Sequence, residues 1–91
     1  MTTVLLGGEL DLACIASLQE LLAEQAEIAQ DSALSVDLAE VTFIDSSSLG
    51  VLVGAFHHVH GQGRVFSVVN PSPMARRVLT VTGLDAVLLQ S

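Results

Sequence analysis

Hydrophobic and polar positions follow two different periods along the chain, and these periods predict strands and helices in turn. Apolar residues at 4–6 and alternating apolar residues at 34–38 indicate two strands, the second followed by an apolar run at 41–44. The nearly continuous β-branched run at 65–69 is typical of a central strand that is covered on both faces. A last apolar run at 86–89 predicts a fourth strand.

Three segments between these strands carry the period of a helix instead. The first, 12–29, follows the capping residue Asp11, and the second, 47–60, ends at Gly61. A shorter third helix is expected at 72–81. Because helical connections join parallel strands, the sequence predicts an α/β fold with a mostly parallel, four-stranded or mixed, sheet and about three helices.

Length and composition limit the organisation and the location of the chain. Ninety-one residues form a single domain, 1–91, and a hydrophobic content of 51% excludes a disordered tail. The N-terminus carries no basic signal-peptide region. The longest apolar run, 49–56, is far shorter than the roughly 20 residues of a membrane span, so we expect a cytoplasmic protein without membrane insertion.

Charge is scarce and unevenly distributed. Three arginines, no lysine and ten acidic residues give a net charge of −7, which argues against direct binding to DNA and excludes a P-loop. Residues 1–45 contain nine of the acidic side chains and no basic one. This polarity indicates a basic protein surface as partner, and the alternative is that it only keeps an apolar chain in solution.

A run of hydroxyl side chains lies where the second predicted strand meets the second predicted helix. Asp45-Ser46-Ser47-Ser48 occupies this junction, and ligands of open α/β sheets gather at the carboxyl ends of strands. A phosphate on Ser46 or Ser47 would add about −1.5 to −2 charge there without unfolding the helix, whose N-terminus stabilises anions. The segment is therefore either a phosphorylation switch or a simple helix cap.

The sequence favours a serine hydrolase site and a metal site less. A strand-to-helix turn also holds the nucleophile of serine hydrolases, but the Gly-x-Ser-x-Gly sequence is absent. The side chains of His57, His58 and His60 do not converge on the predicted helix, so we expect no metal site. Cys14 lies in an apolar stretch and is expected to be a buried, inert thiol.

The second predicted helix has a face of small residues. At about 100° per residue, one side of the helix carries Ser47, Gly50, Val51, Gly54 and His58. Small side chains let another backbone approach closely, so this face is either a docking surface beside Ser46 or the seat of a neighbouring helix of the same domain.

Three motifs, taken together, resemble a known family. They are Gly8-Glu9-Leu10-Asp11, the segment from Val36-Asp37-Leu38 to Leu52, and Thr82-Gly83-Leu84. In this order they resemble the STAS domain of bacterial anti-sigma factor antagonists, over nearly the whole chain. The Asp-Ser-Ser-x-Leu-Gly pattern at 45–50 is the most specific of the three.

The resemblance implies a regulator of sigma-factor-dependent transcription that catalyses nothing and needs no cofactor. Members bind an anti-sigma factor that is also a serine kinase, which phosphorylates the serine directly after the aspartate and so breaks the complex. A phosphatase restores it. The acceptor is then Ser46, with Ser47 less favoured. The expected partner-binding residues are Asp45, Ser47, Ser48, Gly50, Val51 and Gly54. The alternative is an unphosphorylated STAS subunit of a membrane transport complex or another scaffold.

Two departures from the family pattern modify these expectations. Ser48 stands where the family usually has glycine. In the family, two strands precede or lead into Gly-Glu-Leu-Asp, and the first of them is missing here. The C-terminal helix of the family is also shortened or missing. We therefore expect an exposed sheet edge that a second copy could fill, which would make a homodimer.

Overall fold

Three parallel strands joined by helices build the domain, and the computed structural model describes residues 2–29 and 33–89. A short 3₁₀ turn, Leu12–Cys14, leads into the first helix. The strands are β1 (Thr2–Leu10), β2 (Leu34–Ile44) and β3 (Phe66–Val69), and the helices are α1 (Ile15–Ala29), α2 (Ser46–Gly61), α3 (Pro73–Thr82) and α4 (Asp85–Leu88).

The long strand β2 is the centre of the sheet, which has the order β1-β2-β3. The prediction of a central strand at 65–69 is therefore wrong: β3 is buried along most of its length, but it is the last strand in this order. Strand β2 joins the two segments that the sequence separated at 34–38 and 41–44 into one strand. Val36 pairs with Val4 on one side and with Val68 on the other, and all three side chains are buried. Within the described residues, the outer side of β1 has no strand beside it.

Strand β1 extends further than the predicted segment 4–6, because it continues through two glycines. The pairing with β2 shifts between Leu5 and Gly7 and again between Gly8 and Glu9. Gly8 has a φ of 71°, a left-handed conformation that favours glycine. This irregularity lets the strand reach Leu10 at the level of Ile44, the last residue of β2.

The prediction of a fourth strand at 86–89 is wrong. Residues Asp85–Leu88 form the short helix α4, and Leu89 alone makes an isolated parallel bridge with Val68. The backbone N–H of Leu88 donates to the carbonyl of Leu84 at 2.8 Å, and the Leu88 side chain is fully buried. A short apolar run is compatible with either structure, and here one helical turn buries its leucine.

Helices on the sheet complete a single hydrophobic core. Helix α1 contributes Leu18, Leu22 and Ala26 to this core, and α3 contributes Ala75 and Leu79. Helix α2 is the continuation of β2, and it packs against α1 and β3. The start of α2 is therefore held by the central strand on one side and by the core on the other.

We expect Ser72→Ala to destabilise the fold by about 1 kcal/mol, as is typical for the loss of an N-cap. The buried Ser72 hydroxyl accepts a hydrogen bond from the backbone N–H of Ala75 at 3.1 Å and begins α3. Urea unfolding measures the change. Ser17→Ala, at an exposed position inside α1, is the control and should not lower the free energy of unfolding. Equal stability of Ser72→Ala and the wild type would contradict this role.

Candidate functional site

Asp45 joins the end of β2 to the start of α2, and three hydrogen bonds hold it in place. Its backbone N–H donates to the carbonyl of Leu10 at 3.0 Å, which connects it to the end of β1. Its carboxylate Oδ1 accepts from the backbone N–H of Ser48 at 2.9 Å, and its carbonyl accepts from the N–H of Leu49 at 3.0 Å. Asp45 is thus the N-cap of α2.

The same contacts make Asp45 a fixed negative charge. The backbone N–H of Ser48 is the largest cause that lowers the pKa of the Asp45 carboxyl below its ordinary value of 3.8. Partial desolvation opposes this lowering of the pKa, and weaker contacts with the Ser48 hydroxyl and the N–H groups of Leu12 and Ser47 add to it. At neutral pH the carboxylate is ionised and faces the first turn of the helix.

The three serines after Asp45 have different environments. The side chains of Ser46 and Ser47 are exposed, whereas Ser48 is fully buried. The Ser48 hydroxyl makes no hydrogen bond of ordinary geometry within the described structure, although it lies close enough to Asp45 to affect its pKa. A kinase in solution could therefore reach Ser46 and Ser47, but not Ser48.

Two residues that we expected on the partner-binding surface are placed inside the domain. Ser48 is buried at the start of α2, and Val51 is only 8% exposed. Ser48 is enclosed by the domain, whereas Val51 lies at the bottom of the space between α1 and α2. Of the other expected partner-binding residues, Ser47, Gly50 and Gly54 are exposed and Asp45 is half-buried.

The small-residue face of α2 is turned towards α1 but is not filled by it. Between the two helices lies a groove of about 250 Å³, and Gly50, Gly54 and His58 form its α2 side. Of the residues on this face, Val51 is buried where α2 lies beside α1, as the neighbouring-helix interpretation expects. The α1 side of the groove includes Gln19, Ala23 and Ala26. Sequence reasoning missed these three residues, although small alanines on a helix beside a helix face of glycines are a signal of close approach.

Two of the three histidines, and the cysteine, contact neighbouring groups of the protein itself. The rings of His57 and His60 lie 5.4 and 5.2 Å from the Phe56 ring, one edge-on and the other stacked. Cys14 is half-buried, not buried as expected, and its thiol donates to the carbonyl of Asp11 at 3.1 Å. Within residues 2–29 and 33–89, no group of three or more potential ligands could hold a metal ion.

Among residues 2–29 and 33–89, no helix combines the length and the apolarity needed to span a lipid bilayer.

Comparison with known proteins identifies the family. Residues 1–90 match the STAS domain family, and the chain belongs to it. The anti-sigma-B factor antagonist of Bacillus subtilis is 35% identical over 83 residues, which are 91% of this chain and 74% of that protein. The family expectation from the sequence is confirmed.

Solved structures share the fold. An anti-sigma factor antagonist from Mycobacterium paratuberculosis superposes with a TM-score of 0.79 at 31% identity, covering 94% of this chain and 72% of that one. The anti-sigma factor antagonist SpoIIAA in its unphosphorylated form gives a TM-score of 0.78 at 23% identity, covering 99% and 80%. The small α/β fold is therefore that of STAS domains, with three strands rather than four in the part described here.

The ionised Asp45 cap gives the stability of the domain a dependence on pH. A carboxyl whose pKa is lowered by folding stabilises the native state above its unfolded pKa, and this contribution disappears as the pH falls through the lowered value. We expect the stability difference between wild type and Asp45→Asn to be constant at higher pH and to shrink below about pH 4, near the ordinary value of 3.8. Urea unfolding at a series of pH values measures it.

Asparagine is a suitable replacement because it also caps helices, so the helix content of the variant should match that of the wild type by circular dichroism. Parallel stability curves for the two proteins down to about pH 3 would show that the charge of Asp45 does not contribute to folding.

Proposed function

We propose that this chain is an anti-sigma factor antagonist that is switched off by phosphorylation of Ser46. It binds an anti-sigma factor that is also a serine kinase, and the sigma factor is thereby released. Membership of the STAS family and the names of its relatives support the general role. The single observation that carries the switch is the exposed Ser46 hydroxyl directly beside the ionised, hydrogen-bonded Asp45.

The charge and position of a phosphate at Ser46 account for such a switch. Ser46 is the first residue of α2, where the helix dipole and the first backbone N–H groups stabilise an anion. The folded domain can therefore accept about −1.5 to −2 additional charge at this place. A partner docked over Asp45 and Ser47 would face that charge in a desolvated contact, so the complex dissociates while the domain stays folded.

ATP belongs to the kinase, and the antagonist itself catalyses nothing and holds no cofactor. A phosphatase removes the phosphate, and the exchange takes place in the cytoplasm, where sigma factors act. Ser47 is the less favoured acceptor because the resemblance to the family points to the serine directly after the aspartate. A second copy of the chain, paired along the outer side of β1, is a further proposed partner that the switch does not require.

Incubation with ATP and a lysate of the host is expected to add one phosphate to the wild-type chain, seen as a change in its intact mass. Ser47→Ala should gain the phosphate as well, whereas Ser46→Ala should not. Gain of phosphate by Ser46→Ala would move the acceptor to another residue. No gain in any variant, where a known antagonist is modified, would favour an unphosphorylated scaffold.

We expect Ser46→Asp to lose binding to the anti-sigma factor that the immobilised wild-type chain retains from the lysate. A permanent carboxylate beside Asp45 imitates part of the phosphate charge. Ser46→Asn, which has nearly the same shape without the charge, is the matched control and should bind. Circular dichroism should show the same helix content for both variants. Undiminished binding by Ser46→Asp would refute the electrostatic mechanism.

A further inference from the structure

The groove between α1 and α2 has an apolar floor and walls made of small residues. Leu22, Val51 and Val59 are buried side chains that line its floor. Gly50 and Gly54 form one wall, and the alanines of α1 form the other. The α2 side extends from Gly50 to His58, which at about 1.5 Å per residue corresponds to roughly two helical turns.

The two glycines of this wall are not required by the packing of the domain itself. A Cβ atom built at Gly50 or at Gly54 meets no atom within 4 Å. Neither residue has a positive φ, and glycine is one of the least favourable residues inside a helix. The fold would therefore accept alanine at both places, and the glycines serve to keep the groove open and the α2 backbone accessible.

The surface of α1 beside the groove, which we call its rim, is acidic. Ala23 lines the groove, and Glu20 and Glu27, three and four residues away on α1, are its exposed neighbours on the helix surface. Glu24 is also exposed beside them. Neither α1 nor α2 contains lysine or arginine, since the basic residues of the chain lie at 64, 76 and 77. No lysine or arginine on the two groove helices therefore neutralises this rim.

We propose that this groove binds an amphipathic α-helix of the partner, with small or aliphatic residues on the buried side and Lys or Arg along its flanks. The inference rests on the proposed function, because it assigns this helix to the anti-sigma factor. A helix fits better than an extended segment, since it satisfies its own backbone hydrogen bonds and the apolar floor offers none. The basic flanks follow from charge complementarity with the acidic rim.

A second copy of this chain fits the groove poorly. Its own helices α1 and α2 carry no lysine or arginine, and its acidic rim would approach the rim of the first copy. Like charges placed opposite each other disfavour association. The position of the groove also suits the switch, because Ser47 lies on the same face of α2, one turn before Gly50 and Val51. A phosphate at Ser46 would then lie at the entrance of the groove.

The test uses a 16-residue helical peptide with leucine and alanine at helical spacing and lysine at the other positions. Titration into the ¹⁵N-labelled full chain should give saturable shifts centred on Ala23, Gly50 and Gly54. Gly54→Leu fills the groove and should weaken binding at least tenfold. Gly61→Leu is the matched control, because Gly61 ends the same helix outside the groove with equally open space, and it should bind like the wild type. Neither variant should lower the melting temperature.

The charge of the rim is tested with the same peptide. The double variant Glu20→Gln and Glu27→Gln should bind at least threefold more weakly at low salt and lose most of the salt dependence. Glu40→Gln, an exposed change in β2, is the control. A peptide with glutamate in place of lysine should not bind.

Three results would overturn the inference. They are no binding of the lysine peptide by the wild type, equal binding by Gly54→Leu, and a dimer in sedimentation that Gly54→Leu abolishes. The first two exclude a basic helix in the groove, and the third assigns the groove to a second copy. These readouts do not involve ATP or Ser46, so a failure here is distinguishable from a failure of the phosphorylation switch.

Discussion

The hydrogen bond from the Ser48 backbone N–H to the Asp45 carboxylate is the contact on which the site depends. It begins α2 at the point where the central strand ends, and it holds the carboxylate ionised. Because the Asp45 N–H also bonds to Leu10, the end of β1 and the start of α2 are held at the same place. The position of Ser46 therefore follows from the sheet and not from a flexible loop.

The proposed switch would separate binding from folding. The residue that would carry the phosphate is exposed, whereas its neighbour Ser48 is buried in the first turn of the same helix. Added charge at Ser46 therefore changes the surface while the core contacts of α2 remain. The open space beside Gly50 and Gly54 agrees with this separation of binding from folding. Alanine would stabilise the helix at both positions, but glycine leaves room for a partner to approach.

The family motif and the main elements could be predicted because they depend on local pattern. Alternation around Val36 and the helical period of α1 each reflect a buried face, and a buried face requires apolar residues at a fixed spacing. The junction at Asp45 could also be located, since N-cap chemistry depends on a side chain and the backbone three residues later.

The residues by themselves determined the α/β class, the capped junction and the run of serines beside it. Tertiary structure decided that 85–88 is a helical turn, that Ser48 and Val51 are buried, and that α1 leaves a groove along α2. The reason is physical: a short apolar run or a face of small residues is compatible with several neighbours. Only the packing of distant segments determines which neighbour is present.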